Sequence, residues 1–145
     1  MIKIKPKTFL YVAWIFAIVS VLGSLYFSEI AHFPPCILCW YQRIFMYPLA
    51  ILIPVGILKK DKNLPYYVLP LTIIGGLIAI YHNLLYWNII PEAYTPCAAG
   101  ISCTTRFIEW FGFVTIPFLS FCSFLVIAIC MKLYLKSTKK KNGRF

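Results

Sequence analysis

The sequence predicts an all-α membrane protein, a bundle of four transmembrane helices, and three observations carry that prediction. Of its 145 residues, 61% are hydrophobic and only 12% charged, against about 45–50% and about 25% in soluble domains. Four almost charge-free stretches are each long enough for the roughly 20 residues that a bilayer core demands. The basic residues gather in short clusters between apolar runs, which is a topology signal rather than the patch of a nucleic-acid binder. The net charge of +10 is therefore assigned to membrane orientation, with the lipid bilayer as partner and no nucleic acid.

The first stretch runs from Thr8 to Ser28 and the second from about Cys36 to Leu58, interrupted only by Arg43. The third lies within Leu64–Pro91 and the fourth covers Trp110 to Met131. Lipid offers no partner for a bare N–H or C=O, so each stretch is expected to be a helix. Pro48, Pro54, Pro70 and Pro117 fall inside these spans, where kinks are expected and tolerated. Lys3, Lys5 and Lys7 precede the first stretch and qualify it as a signal-peptide n-region. Its apolar run is long and no small-x-small cleavage site follows, so an uncleaved helix is expected.

Orientation follows from the lysines. Lys59, Lys60 and Lys62 join the second span to the third, and Lys132, Lys136, Lys139, Lys140, Lys141 and Arg144 follow the fourth. The other two connections carry only Glu29, Glu92, Arg106 and Glu109. Both termini are thus expected in the cytoplasm and both cysteine-bearing loops outside, in a cell membrane. Tyr26, Trp40, Tyr41, Tyr86, Trp87 and Trp110 suit an outer aromatic belt. Residues 1–135 form one membrane domain on this reading, and 136–145 a basic cytoplasmic tail.

Four of the six cysteines fall in the outward connections as two close pairs, Cys36 with Cys39 and Cys97 with Cys103. Cys122 and Cys130 lie in the fourth span, about 12 Å apart along a helix. That exceeds the roughly 7 Å limit for a disulfide, and the pair is read as small apolar packing residues. Cys36-Ile37-Leu38-Cys39 follows Pro34 and Pro35, which places it at a helix N-terminus where the dipole favours thiolate. Arg43 shares a helical face with both thiols. A cation there lowers a thiol pKa and can hold an anionic reduced acceptor; snorkelling to the headgroups is the simpler alternative.

Local bridges are weak braces. In the chain-entropy model a four-residue loop yields about 1.9 kcal/mol and a seven-residue loop about 2.4 kcal/mol. A bridge between the loops, Cys36 to Cys97, would yield roughly 4.3 kcal/mol. Redox couples that open, close and exchange use such pairs better. The alternative is a non-catalytic membrane scaffold with structural loop disulfides. A zinc centre is disfavoured because C-x-x-C followed by C-x5-C departs from the close-spaced second pair of all-cysteine sites, so no metal is expected. The chain carries no G-x-G-x-x-G fingerprint and no C-x-x-C-H haem motif. With Cys39 and Arg43 at the bilayer edge, a lipid-soluble two-electron carrier is the natural candidate acceptor, which points to a quinone. His82 can donate to a quinone carbonyl or relay a proton, or else make an interhelical hydrogen bond. Gly75-Gly76 is read as a close-packing site.

The string Cys36-Ile37-Leu38-Cys39-Trp40-Tyr41-Gln42-Arg43 resembles the signature of the DsbB family of disulfide bond formation proteins, and the short chain resembles its BdbC-type members. The resemblance implies a quinone-dependent protein disulfide oxidoreductase supporting disulfide formation in secreted proteins. It would reoxidise an extracytoplasmic thioredoxin-like thiol-disulfide oxidoreductase. The redox-active disulfides would be Cys36–Cys39 and Cys97–Cys103, with Cys97 attacked by the partner. Electrons would pass on to Cys36–Cys39 by thiol–disulfide exchange. Cys39 would then face the membrane quinone (menaquinone or ubiquinone), supported by Arg43 and, in a looser match, by His82.

Overall fold

The computed structural model describes residues 5–91, 102–105 and 114–142. Helix α1 spans Pro6–Leu25 and continues as a π-helical segment, Tyr26–Ile30; α2 spans Ile37–Leu58, α3 Leu64–Tyr86 and α4 Ile116–Asn142. All four are long and apolar enough to cross a membrane. Val19, Ile51 and Leu77 are 61%, 67% and 60% exposed in mid-helix, an apolar surface that suits a lipid surrounding. Cys97, Glu92, Arg106, Glu109 and Trp110 lie outside the described residues, as do Lys3 and Arg144.

The helices pack as a square: α1 against α2 and α4, α3 against α2 and α4, with only slight contact across the α2–α4 diagonal. Each inner stripe is visible in the burial. On α2 it is Leu38, Gln42, Met46, Leu49, Ile53 and Gly56; on α3 it includes Val68, Thr72, Gly75, Ala79, His82 and Tyr86. Steps of three and four residues keep such a stripe on one face. Helix α1 contributes Leu10, Ala13 and Ala17, and its two alanines let the neighbouring backbones approach. The apolar core fills the half of the bundle nearest the lysine-bearing ends, where Leu49, Ile53, Phe124, Ile127 and Met131 meet. Cys36, Cys39 and Cys103 stand at the other end.

Helices α2 and α3 stop in the same way. After α2, Lys60 turns left-handed (φ 54°) while Asp61 N–H returns to Gly56 O and Lys60 N–H to Ile57 O. After α3, Asn88 (φ 55°) plays the same part, with Ile89 N–H on Leu84 O and Asn88 N–H on Leu85 O. Both are Schellman closures, in which the last carbonyls find donors. His32 (φ 53°) turns the chain out of the π-helical segment, and Phe33 N–H bonds Phe27 O.

Three expectations need correction. The fourth helix begins at Ile116, because Thr115 Oγ1 accepts Phe118 N–H at 3.3 Å and caps it. Pro117 therefore sits in the first turn, where its missing N–H breaks no bond. The same helix continues through Asn142, so the basic tail extends the helix for its first residues. Tyr86 is buried and leaves the aromatic belt, while Tyr26, Trp40, Tyr41 and Trp87 are exposed as a belt requires.

Gly75 and Gly76, read as a packing site, divide in role. A Cβ on Gly75 would run into the ring of Phe124, which is buried in α4, whereas one on Gly76 would meet only Phe124 Cβ at 3.7 Å. Gly75→Ala is expected to destabilise the bundle by about 1–3 kcal/mol, the scale of overpacking. Gly76→Ala should be tolerated. Unfolding midpoints of the two variants in mixed micelles check this, and equal midpoints would refute the contact.

Candidate functional site

Cys36 is the N-cap of α2, extended at φ −70° and ψ 170°, and its Sγ accepts Cys39 N–H at 3.4 Å. Pro34 and Pro35 hold the approach outside the helix, and Trp40 N–H on Cys36 O closes the first turn. The two sulfurs stand 3.0 Å apart as free thiols, well beyond the roughly 2.05 Å of a disulfide bond. Cys103, buried in the loop before α4, is by contrast disulfide-bonded.

His82 brings the two loops together. It is buried on α3, with Nε2 3.7 Å from Cys36 Sγ and 3.2 Å from Cys103 O. Nδ1 lies 3.0 Å from the side-chain nitrogen of Gln42, itself buried on α2. If the amide donates to Nδ1, the proton sits on Nε2 and points to the thiol and the carbonyl; this tautomer is assigned from the network. The ligating atoms of Cys36, His82 and Cys103 all fall within 4.8 Å of one another. The sequence singled out His82 for an acceptor site, and it stands beside the thiols.

Cys36 immediately precedes the membrane-spanning part of α2. Its thiol is held well below the usual range, first because Cys39 S–H donates to it. Burial opposes this; the His82 hydrogen bond, then Cys39 N–H, reinforce it. An ordinary thiol loses reactivity about tenfold per pH unit below its pKa of about 8.5, because thiolate is the nucleophile. A depressed pKa reverses that sign: alkylation of Cys36 by a small neutral reagent should stay nearly flat between about pH 8 and pH 6. Mass mapping of labelled peptides across that range is the measurement. A tenfold fall per unit would contradict the assignment.

Arg43 extends across to α1. Its guanidinium donates to Ser24 O at 3.0 Å and lies 5.3 Å from the centre of the Trp40 ring, a cation–π contact. Serine 24 stands just before the π-helical turn, a local geometry common at functional sites. The same guanidinium borders a cavity of about 400 Å³ between α1, α2 and α4 that also meets Cys36, Cys39 and His82. Its walls are largely apolar, from Phe16, Val19 and Met46. Val19 and Leu119, which line it, are also exposed on the outer surface of the bundle. Cys122 lines the cavity, whereas Cys130 is buried in the apolar core.

Sequence reasoning missed Gln42 and Gly23. Gln42 carried a signal, an uncharged polar side chain inside an apolar run. Gly23 borders the cavity, and a Cβ there would meet nothing within 4 Å.

A family model for the disulfide bond formation protein DsbB matches residues 6–134. Disulfide bond formation protein C of Bacillus subtilis (strain 168) is 47% identical over 133 residues, covering 92% of this chain and 96% of that protein. Probable disulfide formation protein C 1 of Bacillus anthracis is 43% identical with the same coverage. The SPbeta prophage-derived disulfide bond formation protein B of Bacillus subtilis is 40% identical over 140 residues, 95% of this chain and 93% of that protein. No solved structure gives a significant match. Matched over nearly its whole length, the chain belongs to the DsbB family of disulfide bond formation proteins, as a multi-pass membrane oxidoreductase of thiols and disulfides.

Proposed function

We propose that this protein reoxidises a thioredoxin-like dithiol protein outside the cytoplasm and delivers the electrons to a membrane quinone. One observation carries the reading: Cys36 Sγ stands between Cys39 and the Cys103 cluster, and its pair borders an apolar cavity beside Arg43. Cys97–Cys103 takes two electrons from the partner by exchange, releasing the partner as a disulfide. Cys103 Sγ lies within 4.8 Å of Cys36 Sγ, which supports exchange between them: the Cys36–Cys39 disulfide is then reduced while Cys97–Cys103 re-forms. A quinone supplies a two-electron, two-proton sink for the resulting dithiol.

The chain's own groups support each step. Cys39 N–H, Cys39 S–H and His82 stabilise the Cys36 thiolate. Gln42 fixes the histidine ring. Arg43, tied to Ser24 O, sets a permanent positive charge at the cavity where reduction creates negative charge. The cysteine end is assigned to the outside because the lysines of residues 5–7, 59–62 and 132–141 lie at the helix ends opposite it.

Purified protein supplied with quinone and a reduced thioredoxin-like donor should bleach the quinone absorbance catalytically. Thiol trapping that finds the redox state of Cys36 and Cys39 indifferent to both additions would end the proposal.

A further inference from the structure

We infer that the reduced form of this site is a binding site for a thiophilic d10 cation such as Zn²⁺, made by Cys36, His82 and Cys103 with Cys39 as fourth ligand. The inference goes beyond the proposed electron path and needs neither quinone nor partner, only that the disulfide of Cys103 be opened by a dithiol or a phosphine.

The C-x-x-C and C-x5-C spacings argue against an all-cysteine centre because the second pair is too widely spaced. The fold replaces one of those sulfurs with an imidazole from α3. Zinc bonds of about 2.3 Å to sulfur and 2.0–2.1 Å to nitrogen, at tetrahedral angles, put sulfur and nitrogen roughly 3.5 Å apart. Cys36 Sγ and His82 Nε2 stand 3.7 Å apart. Cys103 Sγ completes a triad whose ligating atoms are all within 4.8 Å of one another. Cys39 Sγ stands 3.0 Å from Cys36 Sγ, outside that triad, and has to turn about its side-chain bonds to a sulfur–sulfur separation of roughly 3.8 Å to become the fourth ligand.

The orienting group is present as well. A ligating histidine normally donates its other ring N–H to a fixed acceptor. Turning the Gln42 amide about its last bond presents its oxygen to His82 Nδ1 in place of the nitrogen now at 3.0 Å. Nε2 then gives up Cys103 O and offers its lone pair to the metal. Cys36, Cys39, His82 and Cys103 all border one cavity, so no helix separates the four ligands. Binding transfers no electrons: the cation displaces the thiol protons, which pass to solvent. A bound cation holds the dithiols reduced, so it halts turnover in the state that has accepted electrons.

The test is a Co²⁺ titration of the full-length protein in detergent, reduced with a phosphine and kept anaerobic. One equivalent should give sulfur-to-cobalt charge-transfer absorption and the strong visible bands of tetrahedral cobalt, removed by Zn²⁺. The same protein with both cysteine pairs oxidised should give neither, a comparison that involves no change of sequence. His82→Ala and Cys103→Ser should each weaken binding at least about tenfold, and Cys130→Ser should leave it unchanged. Absence of tetrahedral bands in the reduced protein overturns the inference. So does undiminished affinity in His82→Ala or Cys103→Ser, which would leave the ion on Cys36 and Cys39 alone.

Discussion

Cys36→Ser is expected to lower catalytic quinone reduction by at least about a thousandfold, the scale on which loss of a covalent nucleophile acts. The reason lies in its position. Cys36 is the sulfur that touches Cys39, faces the imidazole of His82 and lies within reach of Cys103. Serine preserves the N-cap, since a hydroxyl oxygen accepts Cys39 N–H as well as sulfur does, so the helix start should persist. The variant should still be reduced once by the thioredoxin-like donor at Cys97–Cys103 and then stall. Single-turnover mixing with the donor, followed by quinone absorbance, separates the two half-reactions. Turnover that survived the substitution would mean that electrons reach the acceptor without crossing Cys36.

The second large effect is expected at Gly23, far from any sulfur in sequence. A side chain added there grows into open space bordered by the cavity. Gly23→Phe should therefore abolish reduction of quinone while leaving exchange between the donor and the cysteine pairs intact. The fold should not suffer, because glycine in mid-helix is itself unfavourable by about 1 kcal/mol relative to alanine. Steady-state quinone kinetics alongside the unfolding midpoint decide the matter. Unchanged kinetics would remove the cavity from the electron path, and a collapsed midpoint would show that the space is needed for packing.

Four helices and the clustering of lysines at one end were legible because lipid imposes them on composition directly. The helix-start position of Cys36 was legible for a local reason: two prolines precede a motif followed by an apolar run. The ends of the helices were not. Glycine is the usual mark of a left-handed stop, yet Lys60, Asn88 and His32 occupy those positions, while Gly23, Gly56, Gly75 and Gly76 lie inside helices. An apolar stretch says where lipid is tolerated, not where winding begins, so Ile116 was missed although Thr115 with Pro117 is a readable start signal. The meeting of His82 with Gln42 and Cys103 depends on three separate segments. No spacing rule along one chain encodes that contact. Arg43 was picked out by its cost in the membrane, but its choice of Ser24 O follows from how α1 and α2 lean together.

Val19 and Leu119 border the cavity and also stand on the lipid-facing surface. A hydrophobic acceptor approaching that edge travels in two dimensions, within the leaflet, and never crosses water. For the proposed oxidation by a membrane quinone, the relevant concentration is then the mole fraction of acceptor among the surrounding lipids, not its molarity in the suspension. On the proposed function, diluting the same acceptor with more bilayer should slow the enzyme even when the volume of the sample is unchanged.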